Sequence, residues 1–319
     1  MGLRRYVTPA LVLFFLSPIV AELISGSSPP LKFFNPILLL ANLFLYGCGA
    51  ILVRELAFRW KKGWPSILLL GLAYGLVEEG LGLKSLYNPT YPGVDGSYGR
   101  WMGVNWTWTI AMITYHAVIS IGVPILLVTL IFPEKRNEPW VKNRTIIILA
   151  ALLALDATVL NLFIAPYSPD PILYIITFAA IVVLAVVAWA FPHPYFKPVE
   201  VKTPKATVIF LYGLFWTILF YASVLVPSAL KLPVPATLAI MLAYYAISAL
   251  VLLKITGNGA ALNNVHKLAL ASGLIGIFIL SSPVQELFGA RGMVIVGIGA
   301  VLSLYWLFRR IREAPWTGN

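Results

Sequence analysis

Ten stretches of about 20 mostly apolar residues, cut from one another by proline, glycine and clusters of charge, run almost end to end through this 319-residue chain. About 20 such residues let a helix cross the hydrocarbon core of a bilayer, where backbone N–H and C=O groups have to be satisfied within the structure itself. The stretches lie near residues 8–24, 33–57, 65–86, 104–131, 143–164, 172–191, 206–229, 234–254, 266–284 and 291–308. They predict an all-α fold: a polytopic integral membrane helical bundle of about ten transmembrane helices, forming a single membrane domain over residues 1–319. Whether 266–284 crosses completely is left open by the sequence. Charged residues make up only 11% of the chain, against about 25% in soluble domains, which excludes a soluble globular protein. The first stretch is expected to stay in the protein, since Pro9 and Pro18 interrupt it, Glu22 lies in its last turn and no small-x-small cleavage site follows.

The formal charge of +11 points to membrane topology and not to nucleic acid, because cytoplasmic connections retain Lys and Arg. Seventeen of the 23 basic residues fall in one set of alternate connections, around Arg4 and Arg5, Arg59 to Lys62, Lys135 to Arg144, Lys197 to Lys205, Lys254 and Lys267, and Arg309 to Arg312. The opposite set holds five, Lys32, Lys84, Arg100, Lys231 and Arg291, and Arg54 lies inside the second stretch. This split predicts both termini in the cytoplasm, in a multi-pass protein of the plasma membrane whose first partner is the lipid bilayer. The single cysteine, Cys48, excludes an intrachain disulfide and a cysteine-based zinc site.

The only long connection, 85–103, is rich in Gly, Pro and aromatic residues and is expected to be a structured extracytoplasmic loop, with Trp101, Trp106 and Trp108 at the membrane interface. A substrate-gating lid is the alternative for it. A short echo joins Ser17-Pro18-Ile19-Val20-Ala21-Glu22 in the first stretch to Ser282-Pro283-Val284-Gln285-Glu286 in the ninth.

Ionisable groups inside membrane spans cost about 2.5–3.5 kcal/mol each on insertion scales, so those present mark either a functional interior or a paired structural site. Glu78, Glu79, His116 and Asp156 are the candidates for catalysis or ion coupling, with Glu22, Lys84, Asn105, Arg100 and Arg54 in support. Counting helix rise from each cytoplasmic end brings Glu22, Glu78, His116 and Asp156 to one level, about 20 Å above that boundary. Gly71 and Gly75 share a stripe with Glu78, Glu79 and Gly82, which turns the carboxylates toward a closely packed neighbour. Asn105, Thr109, His116 and Ser120 share a face of the fourth stretch. Two adjacent glutamates in a water-poor site do not readily both ionise, and a carboxyl that keeps its proton suits a proton-coupled carrier or a general base. The structural alternative is that Glu78 or Glu79 pairs with His116, Lys84 or Arg54 to lock the bundle. Arg54, followed by Arg59, Lys61 and Lys62, is expected to snorkel to the cytoplasmic interface. His193 and His266 are interfacial. There is no zinc-protease spacing, phosphate loop or dinucleotide fingerprint; no metal is assigned and the cofactor is unknown.

Glu78-Glu79-Gly80-Leu81-Gly82-Leu83-Lys84, followed by His116-Ala117-Val118-Ile119-Ser120, resembles the CAAX-protease and bacteriocin-processing family of intramembrane glutamate proteases. The resemblance covers about residues 78–120. It implies Glu78 or Glu79 as a general base activating water, with His116 stabilising the oxyanion. The compact ten-span layout itself favours a proton- or cation-coupled transporter of a small solute. A protease acting on a membrane-embedded peptide and a non-catalytic membrane assembly protein are the alternatives.

Overall fold

The structure, a computed structural model, describes residues 7–192, 194 and 197–313. Arg4, Arg5 and His193 lie outside them. Each of the ten apolar stretches is a helix. In chain order they are α1 (Pro9–Ile24), α2 (Pro36–Arg59), α3 (Trp64–Leu76, continued by Val77–Gly82), α4 (Trp106–Ile131) and α5 (Asn143–Ile164). There follow α6 (Pro171–Ala190), α7 (Ala206–Ala229), α8 (Val234–Ile255), α9 (Asn264–Leu287) and α10 (Met293–Glu313). Eight of these are long and apolar enough to cross a membrane by length and composition, α9 among them, while α1 is a shorter apolar helix. In α3 a 13-residue α-helix runs directly into a 6-residue π turn, and Glu78 and Glu79 fall in that turn.

Local chemistry sets the helix ends. Proline occupies the first turn of α1, α2, α3, α6 and α8, where its missing N–H costs nothing. Thr8, Asn35, Asn105, Asp170 and Asn263 cap α1, α2, α4, α6 and α9 by accepting backbone N–H groups.

The connections gather at two ends. Arg59 Nη2 donates to the Val141 carbonyl (2.6 Å), Lys62 Nζ to Phe191 O (2.6 Å) and Asn258 Nδ2 to Lys197 O (2.8 Å), so the basic connections touch one another. At the other end Tyr98 of the long loop donates to Leu232 O (3.1 Å), and Lys84 Nζ to Asn161 O (2.7 Å). Alternate connections therefore share a face, as successive crossings require.

α4 is the central helix: 72% of its most apolar window is buried, against 17% for α6, α8 and α10, which expose large apolar side chains outward. Lipid is the solvent that such faces fit. α3 packs on α4 through glycine, since a Cβ on Gly71 would stand 2.7 Å from Ala117 Cα and one on Gly75 2.9 Å from Ile113 Cα. On its other side α4 sends Tyr115 against Phe220 of α7 and Phe278 of α9, ring centroids 6.2 and 6.3 Å apart.

The 85–103 segment is folded. Strands β1 (Arg100–Trp101) and β2 (Val104–Asn105) pair as a hairpin, with positive φ at Met102 and Gly103 as a tight primed turn demands. Arg100 fastens it through the carbonyls of Gly96, Tyr87 and Gly103.

Candidate functional site

Five of the described helices contain a π turn: Ile19–Ile24 in α1, Leu43–Gly47 in α2, Val77–Gly82 in α3, His116–Gly122 in α4 and Leu160–Ile164 in α5. Such turns are rare and concentrate at functional sites. Those of α1, α2, α3 and α4 supply one polar cluster, and every member of it except Ser28, Ser85 and Trp108 sits on one.

Proline accounts for two of these irregularities. Pro124 offers no N–H to the turn before it, and the Ser120 carbonyl accepts from Ser17 Oγ of α1 instead (2.7 Å). Pro18 likewise offers no N–H to the Phe14 carbonyl, which lies against Gly47 of α2, where an added Cβ would stand 2.5 Å from it. The backbone is thus loosened where α1, α2 and α4 touch.

On a regular helix neighbouring side chains diverge by about 100°. The wide turn of α3, closed by Leu83 N–H on Glu78 O (2.8 Å), lets both glutamates reach His116. Glu79 Oε1 is 2.9 Å from Nε2, and Glu78 Oε2 is 3.3 Å from Nδ1, which also lies 3.1 Å from Ser120 Oγ. Gly75 makes room, since a Cβ there would stand 3.3 Å from His116 Cβ. The three side chains are 1–3% exposed. Their ligand atoms lie within 4.8 Å of one another, the reach of a metal site. The two carboxylates approach opposite ring nitrogens, so the imidazole of His116 is enclosed between them.

The cluster extends past this triad. Tyr46 OH, from the π turn of α2, lies 2.5 Å from Glu78 Oε1 and 2.7 Å from Glu22 Oε1. A phenol has one proton, so it donates to one carboxylate, and the second contact requires a proton on Glu22 or Glu78. Glu22 Oε2 accepts from Ser28 Oγ (2.6 Å), and Glu79 Oε2 accepts from Ser85, to which the Trp108 indole donates (3.1 Å). The result is one chain of polar contacts, Ser28–Glu22–Tyr46–Glu78–His116–Glu79–Ser85–Trp108, hydrogen-bonded at every link except Glu78–His116, where carboxylate and imidazole approach as a 3.3 Å ion-pair contact. Glu78 Oε2 and the Tyr74 hydroxyl beside the cluster are buried without a hydrogen-bond partner among the described residues.

Of the residues expected from sequence, the structure brings together Glu22, Glu78, Glu79 and His116. Asp156 stays outside. It is buried on α5 with Oδ2 unpartnered, one residue before Ala157, which with Leu160 meets Gly82 of α3. Lys84 turns to Asn161 and pairs with neither glutamate. Asn105 caps α4 and donates to Asp95 O (3.1 Å), and Arg100 serves the hairpin.

Arg54 does not snorkel to water. It is 4% exposed, paired with the fully buried Glu55 (2.5 Å), stacked 3.8 Å over Trp140 and bonded to Arg136 O (3.0 Å). Glu55 also accepts from Trp140 N (2.9 Å) and Arg59 Nε (3.3 Å). The connection between α4 and α5 folds back over this pair, which is why water does not reach it. Trp108 likewise departs from a purely interfacial role through its bond to Ser85.

Tyr46 is the residue that sequence reading missed. Its signal was a lone hydroxyl among Phe44, Leu45, Gly47 and Cys48 at the depth already assigned to Glu22 and Glu78.

A polytopic helical bundle with this buried cluster is the architecture to which the comparison with known families applies. The model of a family described as an uncharacterized membrane protein family matches residues 11–308. The chain belongs to that family. The match runs from α1 into α10, so all four π turns of the cluster lie within the family's shared region. No curated protein and no solved structure matches the chain.

Proposed function

We propose that this family member is a proton-coupled carrier of a small solute in the plasma membrane, with both termini in the cytoplasm. The observation that supports this reading best is the chain Glu22–Tyr46–Glu78–His116–Glu79, which strings titratable groups from four helices on one line of hydrogen bonds and a 3.3 Å carboxylate–imidazole contact. A proton gained or lost anywhere on that line changes which contacts between α1, α2, α3 and α4 are attractive. It thereby couples protonation to the relative placement of helices, the element that alternating access needs. Proton movement along titratable chains is a recurrent use of intramembrane Glu and His.

The test is reconstitution in proteoliposomes loaded with a pH-reporting dye. Amino acids, sugars, nucleosides, organic acids and organic cations are added singly under an imposed proton gradient. The reading predicts proton influx driven by at least one class, lost in Glu78→Gln and Glu79→Gln. No solute-dependent proton movement in the native protein, or unchanged movement in both variants, contradicts it.

A second reading, intramembrane proteolysis, is favoured by one observation, the 2.9 Å approach of Glu79 to His116 that the protease resemblance implies. It ranks second because both ring nitrogens face carboxylates, which leaves none for an oxyanion. Leu83 also stands where that family carries arginine. Cleavage of a prenylated or membrane-embedded peptide, abolished by Glu79→Gln, would establish it over transport.

A further inference from the structure

The chain of polar contacts is asymmetric across the membrane. Its members Tyr46, Glu78, Glu79 and His116 are all 1–3% exposed, whereas Glu22 is partly exposed. Glu22 lies under a short polar turn, Ser25-Gly26-Ser27-Ser28. Ser25 Oγ donates to the Ala21 carbonyl (2.6 Å) and accepts from the Ser27 N–H (3.2 Å), and Ser28 Oγ donates to the Glu22 carboxylate (2.6 Å). This turn lies at the end away from the basic connections, next to Gln285 at the close of α9.

Toward the basic end, among the described residues, the hydrogen bonds continue for one turn only, from His116 to Ser120 Oγ (3.1 Å) and from Ser17 Oγ to the Ser120 carbonyl (2.7 Å), and the buried Asp156 of α5 makes no hydrogen bond to them. Leu13, Cys48, Ile51, Ile121, Ile125 and Val128, each 3% exposed or less, form one apolar layer beneath the cluster. The next ionisable pair, Arg54–Glu55, begins eight residues below Tyr46, about 12 Å along the helix. Protons follow polar contacts and water, and a packed apolar layer of that depth interrupts both.

We infer that this conformation exchanges protons with the face opposite the basic connections, with Glu22 as the first acceptor, and that the apolar layer is its closed inner barrier. This rests on the proton-carrier reading and adds to it a direction and a named first residue. The groups that face Glu22 are Tyr46, Tyr115, whose hydroxyl meets Ala21 O (3.2 Å), Glu78 beyond Tyr46, and Lys32, whose Nζ meets Ser27 O (3.5 Å), with Tyr74 of α3 and Tyr91 of the 85–103 segment also within electrostatic reach. On α9 and α10, Glu286 is engaged with Val294 N (2.7 Å) and does not take part.

The test uses sided vesicles and needs no substrate. In the native protein, dicyclohexylcarbodiimide modifies carboxyls that hold a proton, and mass spectrometry reads the modification at Glu78. It should follow the pH of the face opposite the basic connections, ignore the pH of the basic face, and lose that dependence in Glu22→Gln. In a Cys48→Ala background, Ser25→Cys should react with a membrane-impermeant thiol reagent from the opposite face, and Val128→Cys should stay unreacted from the basic face. Modification that tracks the pH of the basic face, or reaction of Val128→Cys from that side, overturns the inference. Failure of the carrier reading shows separately, as absence of solute-driven proton movement whatever the labelling.

Discussion

Tyr46 is the hinge of the polar cluster, because its hydroxyl joins two carboxyl groups from different helices, donating to one and accepting from the other. Tyr46→Phe removes the bridge and leaves both acids short of a partner, at about 1–3 kcal/mol for each unsatisfied group. The expected outcome is a lower melting temperature together with loss of solute-driven proton movement, measured on the same preparation. A second cluster answers differently. Glu55→Gln strands the buried Arg54 charge and should cost about 3–5 kcal/mol, read as a fall in thermal stability, with proton coupling intact in the protein that remains folded. The acids Glu22, Glu78 and Glu79 and the imidazole of His116 were legible in sequence because charge inside an apolar run is conspicuous. Tyr46 was not, because tyrosine is common in membrane helices and only its neighbours in space make it polar machinery. Arg54 was misplaced for a related reason. The loop that covers it, 133–142, comes from a connection some 80 residues later.

At the level of elements, the π turns are what sequence periodicity does not reveal. A period of 3.6 placed Glu78 and Glu79 on one stripe but left their divergence unresolved, and the wide turn removes it. Proline and serine give a way to test the arrangement. Ser17→Ala leaves the Ser120 carbonyl unpaired and should destabilise by about 1–3 kcal/mol. In a Pro124→Ala background residue 124 regains an N–H, so the same change should cost less; equal costs in both backgrounds would argue against the account of that turn. Outside the membrane, the hydroxyl of Ser97, then the N–H groups of Ser97 and Tyr98, hold the Asp95 carboxyl below its usual range. A carboxyl lowered by folding contributes its stability above the unfolded value, about 4, and that contribution disappears as pH falls through the folded value. Limited proteolysis of the 85–103 segment should therefore quicken on acidification, and Asp95→Asn should flatten that response.

For the whole molecule, the charge ledger and the geometry agree on alternation. Hydrogen bonds join the basic connections at one end, and the folded loop and the Ser25–Ser28 turn occupy the other. Reporter fusions after residue 319 should be active in the cytoplasm, and a reporter inserted near Gly93 should not. The central claim is that Glu22 and Glu78 share a proton through Tyr46 inside this bundle. Infrared spectroscopy of the reconstituted protein at neutral pH tests it most directly. The carbonyl stretch of a protonated carboxylic acid should be present in the native protein and should be shifted or removed in both Glu78→Gln and Glu22→Gln. A spectrum without that band, or one that both substitutions leave unchanged, would contradict the account.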